Sequence, residues 1–208
     1  MIVVVDSKLG NIGSVLNMFR RLGVPAERSA DPDVLARAKA LVLPGVGAFD
    51  HGMENLKNLG LIEVLNERVL QKQTPVLGIC LGMQLLSRRS EEGQLPGLGW
   101  IAGETIRFQF DPVATGLRIP HMGWNDVQPR PGDSLLSTGD RPPRFYFVHS
   151  YHVVCDQSED VLATCHYGSD FTCAIRRGNI MGVQFHPEKS HRYGMAVLRN
   201  FATLVGAC

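Results

Sequence analysis

The sequence predicts an α/β fold: an open, mostly parallel sheet flanked by helices, with an antiparallel extension. Three observations predict it. Ile2-Val3-Val4-Val5 and Ala40-Leu41-Val42-Leu43 are continuous apolar runs, the pattern of strands buried on both faces. Segments of helical periodicity alternate with such runs over the first ninety or so residues, as a parallel sheet requires. From Trp100 to Phe185 the signals change to short strands and turns, which fits antiparallel pairing.

Ile2 to Val5 opens the sheet. Asn11 is placed to cap a helix, with Ile12, Val15, Leu16, Phe19 and Leu22 at helical spacing and Gly23 ending it. Ala40 to Leu43 runs into Pro44-Gly45-Val46-Gly47-Ala48-Phe49, a glycine-rich loop at the strand's C-terminal end. Leu61, Ile62, Leu65 and Val69 mark another helix. Pro75-Val76-Leu77 is the next strand, and Met83-Gln84-Leu85-Leu86 reads as helix. Ligands of such sheets bind beyond the carboxyl ends of the strands, where Gly45-Val46-Gly47 and Cys80 fall. Glu91 to Gly97 is loop. Candidate strands follow at 119–127, 144–154, 161–167, 171–176 and 180–185, the last two flanking the hairpin signal Gly178-Asn179. Gly194, Val197, Leu198, Phe201 and Leu204 form a closing amphipathic helix. No repeat, low-complexity tract or linker divides the chain, so residues 1–208 are expected to form a single domain.

With 208 residues, 44% of them hydrophobic, the chain has enough apolar surface for one substantial core. Its 21 basic and 20 acidic residues leave a net charge of +1, which gives no footprint for nucleic acid or a membrane surface. The five cysteines, Cys80, Cys155, Cys165, Cys173 and Cys208, include no CxxC pair. Neither a zinc knuckle nor a disulfide framework is expected, and a reduced cytoplasmic protein is. The apolar N-terminal stretch is too short for a signal peptide, and no run reaches membrane-spanning length. His149 and His152 are the closest histidine pair, but no carboxylate cluster supports a metal site. No cofactor is expected.

The chemistry centres on Gly78-Ile79-Cys80-Leu81-Gly82. A strand that turns sharply into a helix, with cysteine between two glycines, has the form of a nucleophile elbow. The glycines let backbone segments approach where a Cβ would not fit. A cysteine at a helix N-terminus meets free N–H groups and the positive end of the dipole, which favour thiolate. A base comes from Gln184-Phe185-His186-Pro187-Glu188-Lys189. A strand ending at His186 would put Glu188 on the same side two residues on, with Pro187 keeping the segment from turning helical. The carboxylate could then hold one imidazole nitrogen while the other faces the nucleophile, the logic of a catalytic triad.

These motifs, together with Pro44-Gly45-Val46-Gly47-Ala48-Phe49, Ser90-Glu91-Glu92-Gly93, Pro120-His121-Met122-Gly123-Trp124-Asn125 and Tyr146-Phe147-Val148-His149-Ser150-Tyr151, resemble class I glutamine amidotransferases of the triad type over nearly the whole chain. The last two stretches resemble those of the glutaminase subunits of imidazole glycerol phosphate synthases. The resemblance implies that Cys80 attacks the carboxamide of glutamine, His186 transfers protons and Glu188 orients His186. Leu81 N–H and a peptide N–H of Gly45-Val46-Gly47 would stabilise the oxyanion. Gln84 and the backbone at Ser150 and Tyr151 would hold the amino-acid end of glutamine. It further implies a heterodimer with a (β/α)8-barrel synthase subunit, a cyclase that receives the ammonia. Asn11, Met122, Trp124, Tyr146 and Lys189 match the partner-facing side.

One stretch departs from the pattern. Asp6-Ser7-Lys8-Leu9-Gly10-Asn11 stands where the family has Asp-Tyr-Gly before Gly-Asn. This leaves the glutamine chemistry untouched but opens the identity of the partner. The alternatives are a paralogous glutaminase that feeds a sugar amidotransferase in surface-glycan synthesis, a stand-alone cysteine hydrolase, and a non-catalytic binding module on the same fold.

Overall fold

The computed structural model describes residues 1–138 and 142–207; Cys208 lies outside the described residues. Strand β1 is Ile2–Val5, followed by helix α1 (Ile12–Arg21), β2 (Ala26–Ser29), α2 (Pro32–Ala36), β3 (Ala40–Gly45), α3 (Phe49–Asn58), α4 (Leu61–Asn66), β4 (Val76–Cys80) and α5 (Leu81–Gln84). A π-helical turn, Glu67–Gln71, extends α4. Then come β5 (Gly103–Arg107), α6 (Pro112–Thr115), β6 (His121–Pro129), β7 (Arg144–His149), β8 (Tyr151–Cys155), β9 (Val161–Tyr167), β10 (Ser169–Arg177), β11 (Ile180–Val183) and α7 (His191–Leu204).

The strands form one sheet in the order β2-β1-β3-β4-β11-β10-β9-β6-β7, with β8 on β10 and β5 on β8. The five strands from β2 to β11 are parallel. The pairings beyond β11 are antiparallel. Alternation along β1 explains why this part reads as solid apolar sequence. Ile2 and Val4 pack with Val15 and Phe19 of α1 and Val197 and Phe201 of α7. Val3 and Val5 face the other way, onto Leu35, Met53, Leu56 and Leu65 of α2 to α4. Both faces are covered, so both side-chain sets must be apolar.

Several sequence expectations are corrected. Asn11 stands before α1, but its side chain caps no backbone N–H. Its Oδ1 instead accepts the Ser14 hydroxyl at 3.0 Å. The glycine-rich loop after β3 is shorter than expected, because α3 begins at Phe49. Glu92 Oε2 caps that helix, accepting Phe49 N–H at 2.8 Å, a long-range contact invisible in local sequence. The expected strand 144–154 is two strands broken at Ser150. β7 pairs with β6, while β8 leaves to pair with β5 and β10. Strand β2 and helix α2 are additions, one a polar edge strand and the other barely more than a turn.

The departure at Ser7 and Lys8 keeps its turn. Lys8 is left-handed, with φ +61°, and its N–H donates to Asp6 Oδ1 at 3.1 Å. Ser7 is buried, and its carbonyl accepts Asn55 Nδ2–H at 2.9 Å. Among the described residues no helix is long and apolar enough to cross a membrane.

Candidate active site

Cys80 is the last residue of β4 and the residue before α5, with φ +54° and ψ −110°. Non-glycine residues reach such a conformation only where the surroundings enforce it, at about 1–3 kcal/mol of strain. The enforcement is visible at the two flanking glycines. A Cβ on Gly82 would fall on the Leu43 carbonyl oxygen of β3. A Cβ on Gly78 would lie 2.7 Å from the Gly82 carbonyl oxygen. The elbow is thus clamped between its own helix and the neighbouring strand.

Parallel pairing of β4 with β11 brings the end of β11 beside the end of β4, in the register Val183↔Ile79. The chain continues from β11 to His186, whose N–H donates to Tyr146 O at 2.9 Å. His186 is not the end of a strand. β11 stops at Val183, and Pro187–Lys189 is a 3₁₀ turn. Pro187 therefore does not prevent helical geometry as the sequence suggested; it opens the turn, where its fixed φ is suited and its missing N–H costs nothing. Ser190 locks the turn, donating to His186 O at 2.7 Å and accepting Tyr146 N–H at 3.0 Å.

The turn places His186 Nδ1 2.8 Å from Glu188 Oε1, with both side chains almost wholly buried. His186 and Cys80 face one cavity of about 380 Å³. Burial alone pushes the imidazolium toward deprotonation, but the adjoining Cys80 sulfur and Glu188 carboxylate outweigh it and raise the His186 pKa to about 9. His186 Nε2 has no hydrogen bond of good geometry in the resting structure. Nucleophile–base contacts often tighten only with substrate in place, and Cys80 and His186 open onto the same cavity. Glu188→Gln would remove one of the two partners that raise the His186 pKa, leaving the Cys80 sulfur as the other. The alkaline limb of the glutaminase profile should then move from about pH 9 to lower pH, with a rate loss on the order of 10²-fold. An unchanged rate and profile would make Glu188 a bystander.

Val46, Gly47, Leu81, Gln84, Ser150 and Tyr151 all line the cavity. Gly45 does not. It is the last residue of β3, in register with Cys80, and supports the elbow rather than facing the cavity. Leu81 N–H has no intrahelical acceptor at the first position of α5. Gly47 is left-handed at φ +106°, which gives this loop backbone freedom that other residues lack. Gln84 donates from Nε2 to Tyr151 O at 3.0 Å and to Gln184 Oε1 at 3.1 Å. Both amide hydrogens are committed, so its free polar atom is an acceptor. The Ser150 carbonyl accepts Phe108 N–H, and the Tyr151 carbonyl accepts from Gln84 and from His149 Nδ1. Any backbone groups left for a ligand on this segment are N–H donors, suited to a carboxylate.

Sequence reasoning missed three contributors. Glu92, at the N-terminus of α3, also lines the cavity and supplies its acidic side chain. Gln184 is fully buried and donates to Cys80 Sγ at 3.7 Å. His149 forms part of the wall. Its Nδ1–H must donate, because the Tyr151 carbonyl only accepts. Nε2 then accepts from His121 Nδ1 at 3.1 Å. Both nitrogens are committed within the protein, so His149 is a brace for the wall. Glu92 is exposed and acts through a long-range contact, and Gln184 is a buried amide; neither carries a local sequence signal.

The brace makes a pH prediction. Burial lowers the pKa of His149 and His152, and that of His121 to about 4. A depressed folded pKa gives stability that is present above the unfolded value of 6.5 and is lost as pH falls toward about 4. Thermal melts should therefore drop steadily across that window, and His121→Gln should flatten the drop. A flat profile for the unaltered protein would show that these imidazoles are not held neutral.

The residues expected to face a partner gather on one face. Met122 and Trp124 of β6 are 62% and 39% exposed, so they are not core residues. Tyr146 of β7 pairs with Trp124 in register. Lys189 Nζ lies 5.7 Å from the Tyr146 ring centroid. Asn11 is exposed at the start of α1, which packs against the Pro187–Lys189 turn.

A glycine-clamped cysteine on an α/β elbow, with a buried histidine–carboxylate pair on the same cavity, is the arrangement expected of a thiol-dependent enzyme. The comparisons with known proteins agree. The family described as glutamine amidotransferase class-I matches residues 3–205, and this chain belongs to it. It is 50% identical to imidazole glycerol phosphate synthase subunit HisH 2 of Pseudomonas aeruginosa, over 99% of this chain and 100% of that protein. It is 46% identical to subunit HisH of Bdellovibrio bacteriovorus, over 98% of this chain and 100% of that one. A solved structure titled as a crystal structure of glutamine amidotransferase superposes with a TM-score of 0.74 at 22% identity, covering 99% of this chain and 100% of that one. This similarity extends the shared fold. The chain is thus an amidotransferase-type enzyme.

Proposed function

We propose that this chain is the glutaminase subunit of an imidazole glycerol phosphate synthase, one glutamine amidotransferase domain over residues 1–208. The observation that carries the reading is the buried His186–Glu188 pair, 2.8 Å apart, opening onto the same cavity as Cys80 on its elbow. Identity of 50% and 49% to two subunits of that name, over 100% and 98% of their lengths, supports the assignment.

Glutamine enters with its ammonium toward Glu92 and the Gln84 oxygen, and its carboxylate toward the Ser150–Tyr151 backbone. His186 Nε2 holds the proton of the Cys80 thiol, and the thiolate attacks the side-chain carbonyl carbon. Leu81 N–H and a peptide N–H in Gly45-Val46-Gly47 stabilise the oxyanion, each donor of this kind contributing about 2.7–4 kcal/mol. His186 gives its proton to the departing nitrogen, which leaves as ammonia, and a thioester remains on Cys80. The neutral imidazole then takes a proton from water, and the hydroxide displaces the sulfur to release glutamate. Glu188 keeps the imidazole oriented and stabilises its charged form in both halves.

Ammonia passes to a cytoplasmic (β/α)8-barrel synthase, bound as a heterodimer over Asn11, Met122, Trp124, Tyr146 and Lys189. The synthase forms imidazole glycerol phosphate and an aminoimidazole carboxamide ribotide. Exposed Met122 and Trp124 beside a cation support this face as the contact. The test is to purify the chain with its natural partner and measure glutamine hydrolysis with and without it. A barrel synthase that accelerates hydrolysis is expected. Full turnover by the chain alone, or acceleration only by a sugar amidotransferase, would overturn the proposal.

A further inference from the structure

We propose that Gln184 is a positioning residue for the nucleophile: its side-chain amide donates to the Cys80 sulfur and favours the thiolate, through a chain of amides anchored on the Tyr151 carbonyl. This rests on the reading of Cys80 as the nucleophile.

The orientation of both amides follows from one fixed acceptor. The Tyr151 carbonyl cannot donate, so the group of Gln84 that lies 3.0 Å from it is the NH₂. That same NH₂ is 3.1 Å from Gln184, which must therefore present its oxygen there. The other end of the Gln184 amide, 3.7 Å from Cys80 Sγ, is then the NH₂. The sulfur faces a donor, which a thiolate can use as an acceptor far better than a thiol can. Gln184 is wholly buried and its backbone N–H donates to Cys173 O at 2.9 Å. A buried amide is costly unless bonded, and an apolar side chain would fill the same space. The polarity serves Gln84 at the oxygen and the sulfur at the nitrogen.

The amide chain also joins substrate recognition to the nucleophile. Gln84 lines the cavity and Gln184 touches the sulfur, so a ligand that orders Gln84 also orders the donor on Cys80. The other titratable groups around the sulfur are His186 with Glu188 behind it, and His149, Tyr151 and Glu92 in the cavity wall. The β3 side contributes Val46 and Gly47, neither of which titrates.

The test is the pH profile of Cys80 alkylation by iodoacetamide in the full chain, located by peptide mass, with Cys80→Ala as the blank. The remaining described cysteines are a slow background, because burial raises Cys155 and Cys165 to about 12 and Cys173 well above its ordinary value. Gln184→Met removes the donor on the sulfur and the oxygen that accepts from Gln84, keeps the volume, and leaves Gln84 anchored on the Tyr151 carbonyl. It should move the alkylation midpoint up by about 1–2 pH units, the size of one hydrogen bond to a charged group. With the partner present, kcat should fall about ten- to hundredfold while KM for glutamine changes less than about threefold. Gln184→Glu keeps the shape and places a carboxylate by the sulfur, so it should shift the midpoint at least as far; it decides the matter if the methionine variant does not fold. A lower melting temperature with an unmoved midpoint in the folded variants would reduce Gln184 to core packing and overturn the proposal. Full glutaminase activity in Cys80→Ala would instead remove the nucleophile itself, a distinguishable failure.

Discussion

Cys80→Ala should abolish glutamine-dependent synthesis while ammonia-dependent synthesis by the assembled enzyme continues. The glutaminase rate should fall on the order of 10⁴-fold or more, since no other group in the cavity can form the thioester. The fold should tolerate the change. Cys80 is 6% exposed and sits on a backbone held by Gly78, Gly82 and Leu43, so removing one sulfur leaves the clamp intact. The check is paired assays with glutamine and with an ammonium salt, on one preparation with its partner. Loss of both activities would break the division of labour between the two subunits.

His186→Ala should cost nearly as much as losing the cysteine, because members of a triad act as a unit. Without His186 the thiol has no adjacent base and the departing nitrogen has no proton donor. The variant also leaves the Glu188 carboxylate buried at 2% side-chain exposure without its partner, a loss of about 1–3 kcal/mol or more. Stability should therefore fall together with activity, unlike in Cys80→Ala. Glutaminase turnover and a thermal melt check the two effects together. Retention of most activity would take His186 out of the mechanism.

That Cys80 and His186–Glu188 belong together is proposed from sequence because each part carries a local signature, and the structure places Cys80 and His186 on one cavity. Glycine spacing marks the elbow, and a histidine two residues before a carboxylate marks the base. The local geometry between His186 and Glu188 was not legible. An extended strand and a 3₁₀ turn opened by Pro187 satisfy the same spacing, and only the Ser190 and Tyr146 contacts select the turn. Helix α3 was hidden for a related reason. Its N-terminus is satisfied by Glu92, forty-three residues away in the chain, rather than by a capping residue of its own.

The buried strands β1, β3 and β4 are readable from local sequence alone, because apolar runs and amphipathic helices carry their periodicity in adjacent residues, whereas the polar edge strand β2 is not. Local sequence also singles out Cys80, His186 and Glu188 as the candidate triad, because glycine spacing and a histidine two residues before a carboxylate are local patterns. What surrounds them depends on contacts between distant segments. The break at Ser150 lets one apparent strand serve two parts of the sheet and turn its backbone toward the cavity. The pairing of β4 with β11 sets Gln184 against Cys80 across 104 residues of chain. A buried amide has no periodic or compositional signal; its meaning lies in which atoms it meets, and those are chosen by packing between distant segments.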